Sequence, residues 1–182
     1  AVIPIAGDQI TNDIAMALRT PTDDAEDIKL RHGVAKQVLA HPEDRIEVPG
    51  LGDREPRMLS HQALAAVIEP RIEELFALVH QVIRESGYEE LLSSGVVLTG
   101  GTSLMPGMIE LGEDVFVKPV RIGLPMYDGS LADVVKTPRY ATVVGLLQLA
   151  RLSTMKGRRV AAQTGSFKRT LARMREWLLK AF

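Results

Sequence analysis

The chain has 182 residues, 46% hydrophobic and 25% charged, a balance that suits one or two compact domains and excludes a wholly disordered, collagen-like or multi-spanning membrane protein. It contains no cysteine, which excludes a disulfide framework, a thiolate metal site and a cysteine nucleophile and fits a reducing compartment. The formal net charge of −1 hides two large opposite parts: residues 1–150 hold 13 Lys and Arg against 22 Asp and Glu, whereas residues 151–182 hold 9 against the single Glu176, so an acidic body carries a basic tail suited to a polyanion, either nucleic acid or an anionic membrane surface.

Ala1 to Ile5 reads as a strand leading into a turn at Gly7-Asp8, as in a piece of a longer protein, and no signal peptide is visible before it. Thr11 to Arg19 follows with Ile14, Ala17 and Leu18 on one helical face, and Thr20-Pro21-Thr22 stops it. A second helix is expected over Ala25–Arg31, with Thr22 as its N-cap and Gly33 as its stop. Arg45 to Gly50 alternates like an edge strand ended by a turn, and Leu51–Pro56 is a polar loop. From Ser60, an N-cap candidate, apolar residues recur at helical spacing to about Ser86, with a kink or a break expected at Pro70. Gly95 to Thr99 is a short apolar strand of the buried kind, followed by Gly100-Gly101 and a helix starting near Met105-Pro106. Val115–Ile122 offers another short strand, Tyr140–Leu149 a buried helix, and residues 151–166 a flexible linker. Strands alternating with helices point to α/β or α+β architecture.

The junction Val96–Gly107 is the first segment with chemistry to offer. Two glycines let backbone approach a ligand closely, and a following helix N-terminus favours an anion or polar ring; the same residues also make an ordinary βα turn that binds nothing. Three further segments accompany it in order: Gly7-Asp8-Gln9-Ile10-Thr11-Asn12-Asp13-Ile14-Ala15, Ala25-Glu26-Asp27-Ile28-Lys29 and Tyr140-Ala141-Thr142-Val143-Val144-Gly145-Leu146-Leu147. With Val97-Leu98-Thr99-Gly100-Gly101-Thr102-Ser103-Leu104-Met105-Pro106-Gly107 they resemble the second half of FtsA, the actin-like bacterial cell-division family, over essentially the whole chain.

The resemblance implies an α/β fold, the second half of an actin-like ATPase fold, with residues 1–24 and 93–150 as subdomain 2A and 25–92 as the inserted subdomain 2B. It assigns the adenosine loop to Gly100, Gly101 and Thr102 and the residues flanking the nucleoside to Glu26 and Lys29. These types suit the role: a carboxylate accepts from ribose hydroxyls, and a lysine stem covers a ring while its ammonium reaches oxygen. Otherwise Glu26 and Lys29 are a helical surface pair. The phosphate-binding hairpins and acidic Mg²⁺ ligands belong to the first half of the fold, so this chain carries at most half of an ATP site.

The tail, Phe167 to Phe182, sorts at 100° per residue into two faces. Phe167, Leu171, Met174, Trp177, Leu178, Ala181 and Phe182 share one side, and Lys168, Arg169, Glu176 and Lys180 the other. Sixteen residues make a helix roughly 24 Å long, short of the hydrocarbon thickness. Apolar insertion on one face and cations on the other describe an interfacial anchor, with docking onto the acidic body as the alternative. The family ends in such a membrane-targeting helix. Its subdomain 2B also captures the acidic C-terminal peptide of FtsZ, the tubulin-like ring protein, and Arg57 and Arg71 are the candidates for those carboxylates, or else solvated surface charge. His32, His41, His61 and His80 show no metal-ligand spacing, and no catalytic triad or carboxylate dyad is legible.

The resemblance therefore implies a scaffold rather than an enzyme, one that binds ATP and self-associates in its full-length form, with ATP hydrolysis weak or regulatory. It would bind FtsZ and other division proteins, and tether the ring to the cytoplasmic face of the cell membrane. An actin-fold ATPase or sugar-kinase-like phosphotransferase is the rival from another class, lacking here any substrate acid or base. A nucleic-acid-binding tail is the second rival, disfavoured by the apolar stripe.

Overall fold

The computed structural model describes residues 1–163, with side chains through Thr154. Residues 1–141 form one compact unit, and 142 onward belong to a second. Ala1–Ala6 adopt no ladder, because an extended segment becomes a strand only against a hydrogen-bonded partner; the expected opening strand and turn are replaced by a helix that begins at Gly7. This helix, α1 (Gly7–Leu18), buries Ile10, Ile14 and Leu18 at four-residue spacing and ends on Arg19 in the left-handed region. The next, α2 (Thr22–His32), starts directly after Pro21, so Thr22 is its first residue and makes no side-chain cap. Asp23 and Asp24 in its first turn and Lys29, Arg31 and His32 in its last complement the helix dipole.

Strand β1 (Arg45–Val48) pairs antiparallel with β2 (Arg57–Ser60), Arg45 opposite Ser60 and Val48 opposite Arg57. Ile46 and Val48 point into the core. Helix α3 (His61–Glu85) begins as expected, with the Ser60 hydroxyl accepting from the Ala63 N–H at 3.2 Å. Its 25 residues, about 37 Å at 1.5 Å each, bury Leu64, Ala65, Ile68, Ile72 and Phe76 along one stripe. Pro70 does not divide it. The hydrogen bond that proline removes would have ended on the Ala66 carbonyl, and both residues are solvent-exposed, so the freed acceptor is not buried.

Strand β3 (Val96–Leu98) and β4 (Val120–Ile122) run parallel in register, Val96 opposite Val120 and Leu98 opposite Ile122, joined through α4 (Met108–Phe116). This strand–helix–strand unit packs Met108, Leu111 and Phe116 against α3, with the Phe116 and Phe76 rings 5.2 Å apart. The Val96 and Leu98 side chains join the same core, which runs continuously through α1, α2, β1, α3 and α4.

A short α5 (Ala132–Val135) precedes α6 (Ala141–Gln163). The expectation of a buried helix at 140–149 holds at Val144 and is corrected elsewhere: Val143, Leu146, Leu147 and Leu149 are each more than half exposed. Residues 151–163, expected within a flexible linker, continue α6 as helix. Ala, Leu, Arg, Met, Lys and Gln dominate that stretch and favour helix without needing an apolar stripe. Residues 164–166 and the expected amphipathic helix 167–182, with Phe167, Lys168, Arg169, Leu171, Met174, Trp177, Leu178 and Phe182, lie outside the described residues. No described helix is long and apolar enough to cross a membrane.

Candidate nucleotide cavity

The turn after β3 is shaped by Gly100, whose φ of 97° and ψ of 169° suit glycine alone. Its N–H donates to the Pro138 carbonyl at 3.2 Å, and its own carbonyl accepts from the Ser103 hydroxyl at 2.7 Å. Gly101–Leu104 therefore wind into a 3₁₀ turn whose outer side faces the start of α1. The approach is close: a Cβ on Gly7 would sit 2.8 Å from the Thr102 hydroxyl oxygen. Between this turn, the α1 N-terminus and one face of α2 opens a cavity of about 520 Å³, inside the roughly 300–1,000 Å³ range of small-molecule sites. Glu26, Lys29, Gly101 and Thr102 line it, together with Gly7 and Arg139. Leu30, Leu104 and Met105 supply an apolar wall.

Lys29 is 8% exposed and carries an ammonium with three donors. Three acceptors meet it: the Gly7 carbonyl at 3.1 Å, the Thr11 hydroxyl at 2.7 Å and Glu26 Oε2 at 2.5 Å. The Thr11 hydroxyl in turn donates to Glu26 Oε2. Burial alone would raise the Glu26 pKa, but the hydrogen bonds from Lys29 and Thr11 and the ammonium charge outweigh it and hold the carboxyl below its usual range. Glu26 is thus ionised, and its side chain is 42% exposed at the cavity. The arrangement presents a fixed carboxylate to hydroxyl donors and two backbone-rich residues, Gly101 and Thr102, to a ring.

Four of the five expected nucleoside residues line the cavity; Gly100 stands behind it and sets the turn. The Lys29 ammonium, expected at ligand oxygen, is engaged by Gly7, Thr11 and Glu26. Gly7, Thr11 and Arg139 were missed. The only signal for Gly7 and Thr11 was their place in the Gly7–Ala15 segment, and for Arg139 its position just before Tyr140-Ala141-Thr142.

The two partner candidates lie elsewhere, and both reach α1. Arg57 on β2 donates through Nη2 to the Leu18 carbonyl at 2.5 Å, one of the acceptors left over at a helix C-terminus. Arg71 on α3 donates through Nε and Nη2 to both oxygens of Asp13, the second at 3.0 Å, and through Nη1 to Glu74. The hydrogen bond to Asp13 is the main reason the Arg71 pKa is raised. Among the histidines, His61 Nε2 lies 2.8 Å from the His32 carbonyl and His80 Nε2 lies 2.8 Å from Glu89. No cluster of three or more His, Asp or Glu able to hold a metal occurs among the described residues.

The family profile for Cell division protein FtsA matches residues 1–145. The chain belongs to the FtsA family. FtsA of Pseudomonas aeruginosa is 50% identical over 184 residues, covering 98% of this chain and 44% of that protein. FtsA of Escherichia coli is 42% identical over 193 residues, covering all of this chain and 45% of that protein, and FtsA of Neisseria meningitidis is 41% identical over 189. The chain thus spans just under half the length of the curated FtsA relatives it matches. Among solved structures, MreB 5 of Spiroplasma citri bound to AMPPNP aligns with a TM-score of 0.60 at 17% identity over 86% of this chain and 47% of that one. The same protein bound to ADP aligns at 0.53 and 18% identity. With the FtsA match, these likenesses show the actin-like fold.

Proposed function

We propose that this chain is the nucleoside-binding and partner-binding part of a cell-division scaffold, and that in the full-length protein its cavity takes the adenosine end of ATP. The observation that carries the reading is the convergence of Glu26, Lys29, Gly101 and Thr102 on one cavity from two segments some 75 positions apart. The MreB 5 structures bound to AMPPNP and ADP support it. Glu26 accepts from ribose hydroxyls, Gly101 and Thr102 bring backbone against the ring, and the Lys29 ammonium holds Glu26 ionised. Arg139 adds a cation at the rim. The triphosphate and Mg²⁺ fall to the first half of the fold, and nucleotide controls conformation and self-association rather than feeding turnover.

Residues 1–24 and 93–150 serve as subdomain 2A and 25–92 as subdomain 2B. Arg57 and Arg71 receive the acidic C-terminal peptide of FtsZ, its carboxylates displacing the Leu18 carbonyl at Arg57 and the Asp13 and Glu74 carboxylates at Arg71. Residues 167–182 lie on the cytoplasmic face of the cell membrane at the division site, tethering the ring polymer there in company with other FtsA subunits and division proteins. The support is the family membership, the paired charge asymmetry and the projected apolar stripe. ATP titration of a full-length FtsA chain carrying this sequence tests the cavity. Lys29→Ala is expected to weaken binding at least about tenfold, the equivalent of 1.4 kcal/mol, and unchanged affinity refutes the assignment.

A further inference from the structure

Helix α1 is held on two sides by residues with different tasks. Thr11 and Asp13 are two positions apart, about 200° around a helix of 3.6 residues per turn, so they leave it in nearly opposite directions. Thr11 meets α2, bonding Lys29 and Glu26 at the cavity. Asp13 meets α3, accepting both hydrogen bonds of the Arg71 fork. Ile10 and Ile14 seat the helix on the core between these contacts.

We propose that α1 couples the partner surface to the cavity: an acidic peptide that draws Arg71 away from Asp13 loosens α1, and Lys29 and Glu26 register the change as weaker nucleotide binding. The inference rests on both readings given above, the nucleotide at the cavity and the acidic peptide at Arg71. Asp13 and Glu74 occupy Arg71 in the peptide-free chain, so a peptide carboxylate exchanges with them. Glu74, half exposed, yields first. The Asp13 pair is the consequential one, being bidentate, with both side chains about three-quarters shielded from solvent. Arg57 adds a second tie, from β2 to the last carbonyl of α1. A peptide that recruits both arginines therefore removes both restraints on the side of α1 away from the cavity. Coupling of this kind is reciprocal, so nucleotide weakens the peptide by the factor by which peptide weakens nucleotide.

The test uses a full-length FtsA chain carrying this sequence. ATP affinity is measured alone, with a saturating synthetic peptide rich in Asp and Glu whose binding is followed by polarisation of a label, and in Asp13→Asn without peptide. Bound peptide and Asp13→Asn are each expected to weaken ATP binding by about three- to tenfold. Asp13→Glu, which keeps the carboxylate, is expected to restore the wild-type value. Unchanged ATP affinity in the wild-type protein with peptide bound overturns the coupling, and this arm needs no substitution that could unfold the chain. If no peptide binds, the docking reading fails and the coupling with it, whereas bound peptide with unchanged ATP affinity overturns the coupling and leaves the docking reading standing. A wild-type protein that binds no ATP removes the nucleotide reading and the coupling with it.

Discussion

Replacing Thr11 by Val removes one hydroxyl from the buried network and leaves the branched shape of the side chain in place. Thr11 is 4% exposed and Lys29 8%, so water does not substitute for the lost oxygen. The Lys29 ammonium keeps the Gly7 carbonyl and Glu26 but loses an acceptor at 2.7 Å, and Glu26 loses a donor. Hydrogen bonds to charged groups contribute about 1.5–3 kcal/mol, so Thr11→Val is expected to cost about 2 kcal/mol and, in a chain of this size, to lower Tm by about 4–8 °C. Urea unfolding is the assay: the midpoint moves while the slope stays constant, because no surface changes. Thr11→Ser keeps the hydroxyl and gives up only a methyl, at about 0.8 kcal/mol. Serine proving as costly as valine would assign the effect to packing, and valine tolerated within about 0.5 kcal/mol would refute the view that this hydroxyl stabilises the buried ammonium.

Glu26 titrates lower in the folded chain than in the unfolded one, so its stabilisation is fully present above about pH 4.3 and disappears as pH falls through the lowered folded value. Glu26→Gln is expected to be less stable than wild type at pH 7 and to converge with it in acid; urea midpoints that differ equally at both pH values would contradict the pairing. Gly100→Ala meets nothing within 4 Å of its new Cβ, so its expected loss of about 1–3 kcal/mol comes from backbone strain alone; a neutral thermal melt would mean that the turn relaxes. Double replacement of Trp177 and Phe182 by Glu is expected to abolish flotation with anionic vesicles, and undiminished flotation would dispose of the anchor.

Elements that carry their own signal were legible from residues alone. The Ser60 cap and the apolar spacing of Leu64, Ile68, Ile72 and Phe76 mark α3 locally, and Val96–Leu98 reads as a short strand, although the burial expected of it fails at Val97, which is exposed. Strand β2 was not legible, since Arg57-Met58-Leu59-Ser60 has no alternation and becomes a strand only through pairing with β1. The burial of α6 was not legible either, since the hydrophobicity of Val143, Leu146, Leu147 and Leu149 indicates only what burial would favour. At the cavity, Glu26, Lys29, Gly101 and Thr102 were reached through motif order. Thr11 and Gly7 were not, because their roles depend on contacts 15 and 22 positions away that no local pattern encodes.

The 58 positions separating Asp13 from Arg71 also bear on how the chain assembles. The β3–α4–β4 unit and the α1–α2 pair join neighbours in sequence and close small loops, whereas the Asp13–Arg71 clamp closes a longer one and is therefore expected to form late. Its removal should accelerate unfolding while leaving the refolding limb of a chevron nearly unmoved, so this clamp sets how long the α1 seat endures and contributes little to how fast it forms.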